Sequence, residues 1–480
     1  MRVSILALAH PLALAAALAV AGCATNAPPR PATVGSKTGD IVTIPVDPYP
    51  STYRAYPSVT TVIRGATVYD GTGKKFSPGA VRLENGKIAE IGADVTVPAG
   101  ATIVDGSGKF VTPGVIDIHS HLGDYPSPQV DAVSDGNEAT GPARPEVWSE
   151  HSVWPQDAGF ARALAGGVTT FHVLPGSANL FGGRGVTMKN VYGRTAQDMK
   201  FPGAPYSLKM ACGENPKRVY GSRNQFPSTR MGNIALDRQT WSDAVIYKCK
   251  WDDYGKRARA GTAKPTDAPR RELGNDTLMG VLNGEILVQN HCYRADEMAN
   301  VIAMSHEFGY KVTAFHHAVE SYKIADLLAK EGICSAMWAD WYGFKLESYD
   351  GIRENIALVD HAGACAIVHS DDPNGIQRLN QEAAKAMAAG NRMGFGITPE
   401  HAWTWLSLNP AKGLGIAART GSLEIGKMAD VVLWSANPFS VYARPERVWI
   451  DGALVYDWAD AKRRPVADFE LGQPGTGDPK

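Results

Sequence analysis

At 480 residues, with 44% hydrophobic residues and a formal net charge of −1, the chain has apolar material for a large core but no basic surplus. That balance argues against a nucleic-acid partner, because phosphate binding draws on an excess of Lys and Arg. The length allows up to about three average domains, although a single βα barrel can use most of it.

Arg2 precedes an apolar run from Val3 to Val20, broken by His10-Pro11 and ending Leu18-Ala19-Val20-Ala21-Gly22-Cys23. A positive start, an apolar stretch and a small-residue end form the pattern of an export signal. The ending resembles a bacterial lipobox. This implies cleavage before Cys23 and lipid on its sulfur. With Ala24 next rather than Asp, it also implies an outer-membrane lipoprotein on the periplasmic side. Residues 24–57, rich in Pro, Ala, Thr and Ser, read as a flexible tether. The lipid at Cys23 is the one membrane contact expected, since no later run approaches the ~20 apolar residues of a span. Cys212, Cys249, Cys292, Cys334 and Cys365 are spread out and lack CxxC spacing. They indicate neither a zinc ribbon nor a disulfide framework, and an oxidising compartment would permit one pair.

From Thr60 to Val104 short β segments alternate with tight turns, among them the hairpin signal Asn85-Gly86. Segments such as Val431-Val432-Leu433-Trp434 and Arg447-Val448-Trp449-Ile450 answer them at the far end. A small β-sandwich built from both chain ends is expected, over 58–112 plus 421–470. Residues 113–420 alternate apolar strands with helical patterns, as a parallel (β/α)8 TIM-like barrel does. The expected fold class is therefore α/β.

In such barrels the chemistry gathers at the C-terminal strand ends. Val115-Ile116-Asp117-Ile118-His119-Ser120-His121 reads as a buried first strand. Strand side chains alternate, so His119 and His121 leave one face together. His291 ends the expected fifth strand, His317 the sixth and Asp371 the eighth. Histidines and a carboxylate at one end of a rigid barrel suit a divalent metal, zinc foremost, as one or two ions. His316 and His317 are adjacent, so alternation lets only one of them face the interior. Asp371 is the candidate catalytic residue, able to move the proton of a metal-activated water. His172 is a candidate pocket residue. Arg230, on the long excursion after the fourth strand, is a candidate grip for a substrate carboxylate.

The stretch Val111-Thr112-Pro113-Gly114-Val115-Ile116-Asp117-Ile118-His119-Ser120-His121 resembles the first-strand signature of the amidohydrolase superfamily. The nearest branches are imidazolonepropionase-like and dipeptidase-like, and the resemblance extends over roughly residues 60 to 460. His317-Ala318-Val319-Glu320-Ser321-Tyr322-Lys323 resembles its sixth-strand motif, which implies His317 as the ligand, leaves His316 a structural or outward role and brings Tyr322 in as a substrate contact. Val368-His369-Ser370-Asp371 resembles its eighth-strand aspartate. Members with two metals bridge them through a carboxylated Lys or a Glu. This chain offers Lys209 inside the fourth strand and Glu214 beyond it, and the direct reach of Glu214 is slightly preferred. The resemblance implies hydrolysis of a C–N bond in an amide or dipeptide-like small molecule. A mononuclear deaminase or cyclic-amide hydrolase of imidazolonepropionase type is the second reading, and a non-catalytic envelope ligand-binding lipoprotein the third.

Overall fold

The computed structural model describes residues 41–127 and 129–464; the expected export signal, Cys23 and the first part of the expected tether lie outside them. The N-terminal strands are β1 (Thr61–Tyr69), β2 (Lys75–Glu84), β3 (Lys87–Gly92), β4 (Thr102–Asp105) and β5 (Phe110–Pro113). The central strands are β6 (Val115–Ser120), β7 (Val168–Val173), β8 (Phe181–Lys189), β9 (Ser207–Ala211), β10 (Leu287–His291), β11 (Ala314–His316), β12 (Cys334–Met337) and β13 (Cys365–Val368). The chain then returns through β14 (Val431–Trp434), β15 (Pro445–Ile450) and β16 (Ala453–Asp457).

Strands from both chain ends join in one eight-stranded sheet, ordered β16-β15-β14-β5-β1-β2-β3 with β4 paired to β1. The junction of the two ends is the antiparallel pair β14–β5, where Val431 lies opposite Pro113. The eight central strands follow in chain order around a TIM-like barrel. Its seam between β13 and β6 is drawn together where the Asp371 amide donates to the His119 carbonyl at 3.0 Å. The Asp117 carboxylate reinforces this seam by accepting from the Ser370 amide at 3.2 Å.

One barrel strand departs from the expected parallel pattern. β8 runs antiparallel to both β7 and β9. Residues 174–180 are too few for a parallel crossover, which takes about a dozen residues, so the chain turns straight back. Within β8, Gly183 lets the Val147 backbone approach closely: its φ is +110°, and a Cβ there would lie 2.2 Å from the Val147 carbonyl oxygen.

The expected tether is also revised over residues 41–57. The Thr52 amide donates to Gln197 O at 3.0 Å, and the Val46 carbonyl accepts from buried Arg184 at 2.7 Å. Asp47 pairs at 2.9 Å with the buried ammonium of Lys200. These polar anchors hold the segment against the barrel as a strap. No helix among the described residues is long and apolar enough to cross a membrane.

Two disulfides are present, Cys212–Cys292 and Cys334–Cys365, where the sequence indicated at most one. Strand register accounts for both. Ala211 pairs with His291, so the next residues face each other, and Cys334 is directly opposite Cys365. Neither neighbour relation is visible in the one-dimensional spacing.

At the bottom of β8, Lys189 is fully buried between the carboxylates of Asp451 (2.8 Å) and Asp430 (3.3 Å). Tyr53 of the strap donates to the same Asp451 at 2.6 Å. One ammonium thus ties strap, barrel and terminal sheet together. Replacing Lys189 with Ala strands two buried carboxylates and should cost about 3–5 kcal/mol. Urea unfolding should show this as a lower midpoint with an unchanged slope, and a wild-type midpoint would refute the role.

Candidate metal centre

The polar cluster inside the barrel mouth begins with a chain of forced hydrogen bonds. The Gln289 amide nitrogen donates to Gly413 O at 2.8 Å, which turns its oxygen toward His316 Nε2 at 2.7 Å. An amide oxygen only accepts, so His316 carries its proton on Nε2. Burial pushes both His316 and His119 well below the ordinary imidazole range, which keeps them neutral. The bare Nδ1 of His316 then accepts from His119 Nδ1 at 2.8 Å. His119 is left with an unprotonated Nε2. His121 Nδ1 meets the Leu174 carbonyl at 2.7 Å and must donate to it, which turns its Nε2 into the cluster.

Both Nε2 atoms point at one carboxylate oxygen. Asp371 Oδ1 lies 3.4 Å from His119 Nε2 and 3.1 Å from His121 Nε2. His317 Nδ1 stands 3.8 Å from the other oxygen. The ligand atoms of His119, His121 and Asp371 all fall within 4.8 Å of one another. Imidazole nitrogens and a carboxylate converging in this way form a donor set that fits a divalent metal. Two further observations agree: His291 Nδ1 and His317 Nδ1 are buried with no hydrogen-bond partner among the described residues. Burial likewise pushes both of these imidazoles well below their usual range.

Local backbone explains how these groups converge. His317 (φ +59°) and Asp371 (φ +58°) both adopt left-handed conformations just past their strands. Such strain in non-glycine residues collects at functional sites. It also corrects the assignment of His316: β11 ends at His316, alternation stops there, and both adjacent histidines reach the cluster. Trp338 stacks on His317 at 4.5 Å between ring centroids, and the His317 amide donates to His369 Nε2 at 3.3 Å.

Lys209 lies at the heart of the cluster. Its fully buried amine is 3.4 Å from His119 Nε2 and donates to Pro175 O at 2.9 Å, and burial brings its pKa down to about 7. Glu214 instead stands at the mouth, 3.4 Å from Lys345. His172 is buried, with both ring nitrogens taken by Thr187 (2.9 Å) and Ser207 (2.6 Å), so it packs beside the cluster without facing it. Arg230 is clamped between Glu297 (3.1 Å) and Glu347. The Tyr322 hydroxyl donates to Asp350 O at 3.0 Å in an exposed bond. Arg230 and Tyr322 are thus engaged away from the cluster. Gln289 and Asp117 were not singled out from sequence, yet each shares a strand face with a ligand histidine two residues away, a signal that alternation carries.

Two cavities meet at Asp371. The larger, about 810 Å³, is also lined by His291, Tyr293, Glu214 and Lys345. The smaller, about 330 Å³, lies on the side of His121 and Tyr125.

Comparison with known proteins agrees with this geometry. Residues 110–455 match the Amidohydrolase family. The crystal structure of an amidohydrolase from Thermotoga maritima MSB8 superposes with a TM-score of 0.75 at 36% identity, covering 83% of this chain and 100% of that one. Amidohydrolase tasK of Hapsidospora irregularis is 32% identical over 418 residues, which is 83% of this chain. This chain spans 42% of that relative's length. Imidazolonepropionase of Erwinia tasmaniensis is 47% identical over 62 residues, 12% of this chain and 14% of that protein. With a family match across the barrel and much of the terminal sheet, and a histidine–aspartate cluster at the strand ends, the chain belongs to the amidohydrolase family.

Proposed function

We propose that the chain is a metal-dependent hydrolase of a C–N bond in a small amide or dipeptide-like substrate. The observation that carries this reading is the convergence of His119 Nε2 and His121 Nε2 on the Asp371 carboxylate, at 3.4 and 3.1 Å. His119, His121, His291, His317 and Asp371 would hold the metal, and histidine with carboxylate suits zinc. Lys209 rather than Glu214 is the fourth-strand group in this reading, because its amine lies beside His119 while Glu214 is engaged with Lys345. When bound, the metal supplies a water acidified towards pKa ~7 and polarises the substrate carbonyl.

Asp371 does the proton work. It lines both cavities, so it can take a proton on one side of the scissile bond and deliver it to the leaving nitrogen. Burial of His119, His316 and Gln289 holds the imidazole chain in one tautomer, which keeps His119 Nε2 available as a donor to a metal. Export to the periplasmic side of a bacterial envelope, with lipid at Cys23, belongs to the same proposal. The two disulfides support an oxidising compartment.

A single-metal reaction of imidazolonepropionase type is the second reading, favoured by the 62-residue likeness to that enzyme. Elemental analysis separates the two. About two ions per chain, falling to about one in Lys209→Met, would support the bridged hydrolase. About one in the wild type, unchanged by that substitution, would favour the second reading.

Activity gives a further check on a panel of N-acyl amino acids and dipeptides. Asp371→Asn should lower kcat by about 10²–10⁴-fold with the circular dichroism spectrum unchanged. His119→Ala should lose both metal and turnover. Full activity in either variant would overturn the reading.

A further inference from the structure

The mouth of the larger cavity holds positive charge that the hydrolytic step does not use. Its helical wall, Glu214–Gly221, is fixed to the barrel by one side. Pro216 and Tyr220 are buried, and the Tyr220 hydroxyl donates to Gly141 O at 2.8 Å. The Asn215 amide donates to Ser177 Oγ at 2.9 Å. Residues three, four and seven apart share a helix face, so Glu214, Lys217, Arg218 and Gly221 turn together, and all four line the cavity.

Lys345 faces them from the β12–β13 loop, with its ammonium 3.4 Å from Glu214 Oε1 and 3.9 Å above the Tyr293 ring. Those two opposite charges offset each other. Lys217 and Arg218 form no ion pair among the described residues, and Asp371 belongs to the metal cluster. Two uncompensated cations therefore remain at the cavity wall. Arg230, the cation that sequence suggested for this purpose, is held by its own carboxylates. Phe344 meets Tyr293 edge-on at 6.4 Å and adds an apolar surface beside the cations.

We propose that this cavity is a carboxylate subsite, so that the substrate carries a free carboxylate beside Lys217 and Arg218, as an N-acyl amino acid or a peptide C-terminus does. The reacting bond in this inference rests on the C–N hydrolase reading; the subsite itself does not. An amide in place of the carboxylate forgoes charge-assisted contacts with both cations, which weakens binding.

The test is calorimetric titration of the full chain carrying Asp371→Asn, with N-acetyl-L-phenylalanine and N-acetyl-L-phenylalaninamide as the probes. The acid should bind at least about tenfold more tightly than the amide. Adding Lys217→Gln and Arg218→Gln should erase that preference, while the charge-matched control Lys462→Gln with Arg463→Gln keeps it. Equal affinities, no binding of either probe, or a preference that survives the double substitution would overturn the subsite. Selective binding of the acid, with no hydrolysis of it by the metal-replete wild type, would support the subsite and sink the hydrolase reading instead.

Discussion

The structure turns on a set of hydrogen bonds that fix one another's direction. His119 and His121 bring their Nε2 atoms to the same Asp371 oxygen. The bonds behind them set those orientations: His119 is committed through His316 and Gln289 to the Gly413 carbonyl, and His121 to the Leu174 carbonyl. Lys209 approaches the same point, with its amine 3.4 Å from His119 Nε2. The result is a convergence of donor atoms with the geometry of a candidate metal site.

Holding that arrangement requires a stiff frame. Asp117 joins the first strand to the loop after the eighth, accepting from the amides of both His119 and Ser370 at 3.2 Å. Trp338 clamps the same loop from the seventh strand, donating to Ser370 O at 2.9 Å while its ring covers His317. The Cys212–Cys292 bridge joins the residues immediately after β9 and His291, next to the turn that leads into the Glu214–Gly221 helix. The left-handed backbones of His317 and Asp371 are bearable because these contacts over-determine their positions.

Much of this was legible in the sequence, and the pattern of what was not is physical. Strand alternation placed His119 and His121 on one face, and barrel topology placed His291 and Asp371 at the same end. Period and position suffice for such residues. The pairing of His316 with His317 was misread because alternation fails at a left-handed residue, and φ is not written in the sequence. The reversal of β8 was not legible within the expected parallel alternation, since direction depends on how little chain is left for the return. Arg230 looked available for a substrate because its partners, Glu297 and Glu347, are distant in sequence and meet it only in the fold. The same limit applied to the strap over residues 41–57, whose Pro-rich composition suggested a tether while Asp47 and Tyr53 find their partners across the barrel.

In the proposed reading, reach and partnership favour Lys209 over Glu214, a choice that motif spacing leaves open. Glu214 has the shorter path to a metal, but it lies past the strand, on a helix face turned to the cavity, where Lys345 meets it. Lys209 has the longer side chain and starts lower on β9, opposite Gln289 and Gly183. From there its amine reaches within 3.4 Å of His119 Nε2 from inside the barrel. The helix after β9 is then left to line the mouth, where its charges face whatever enters.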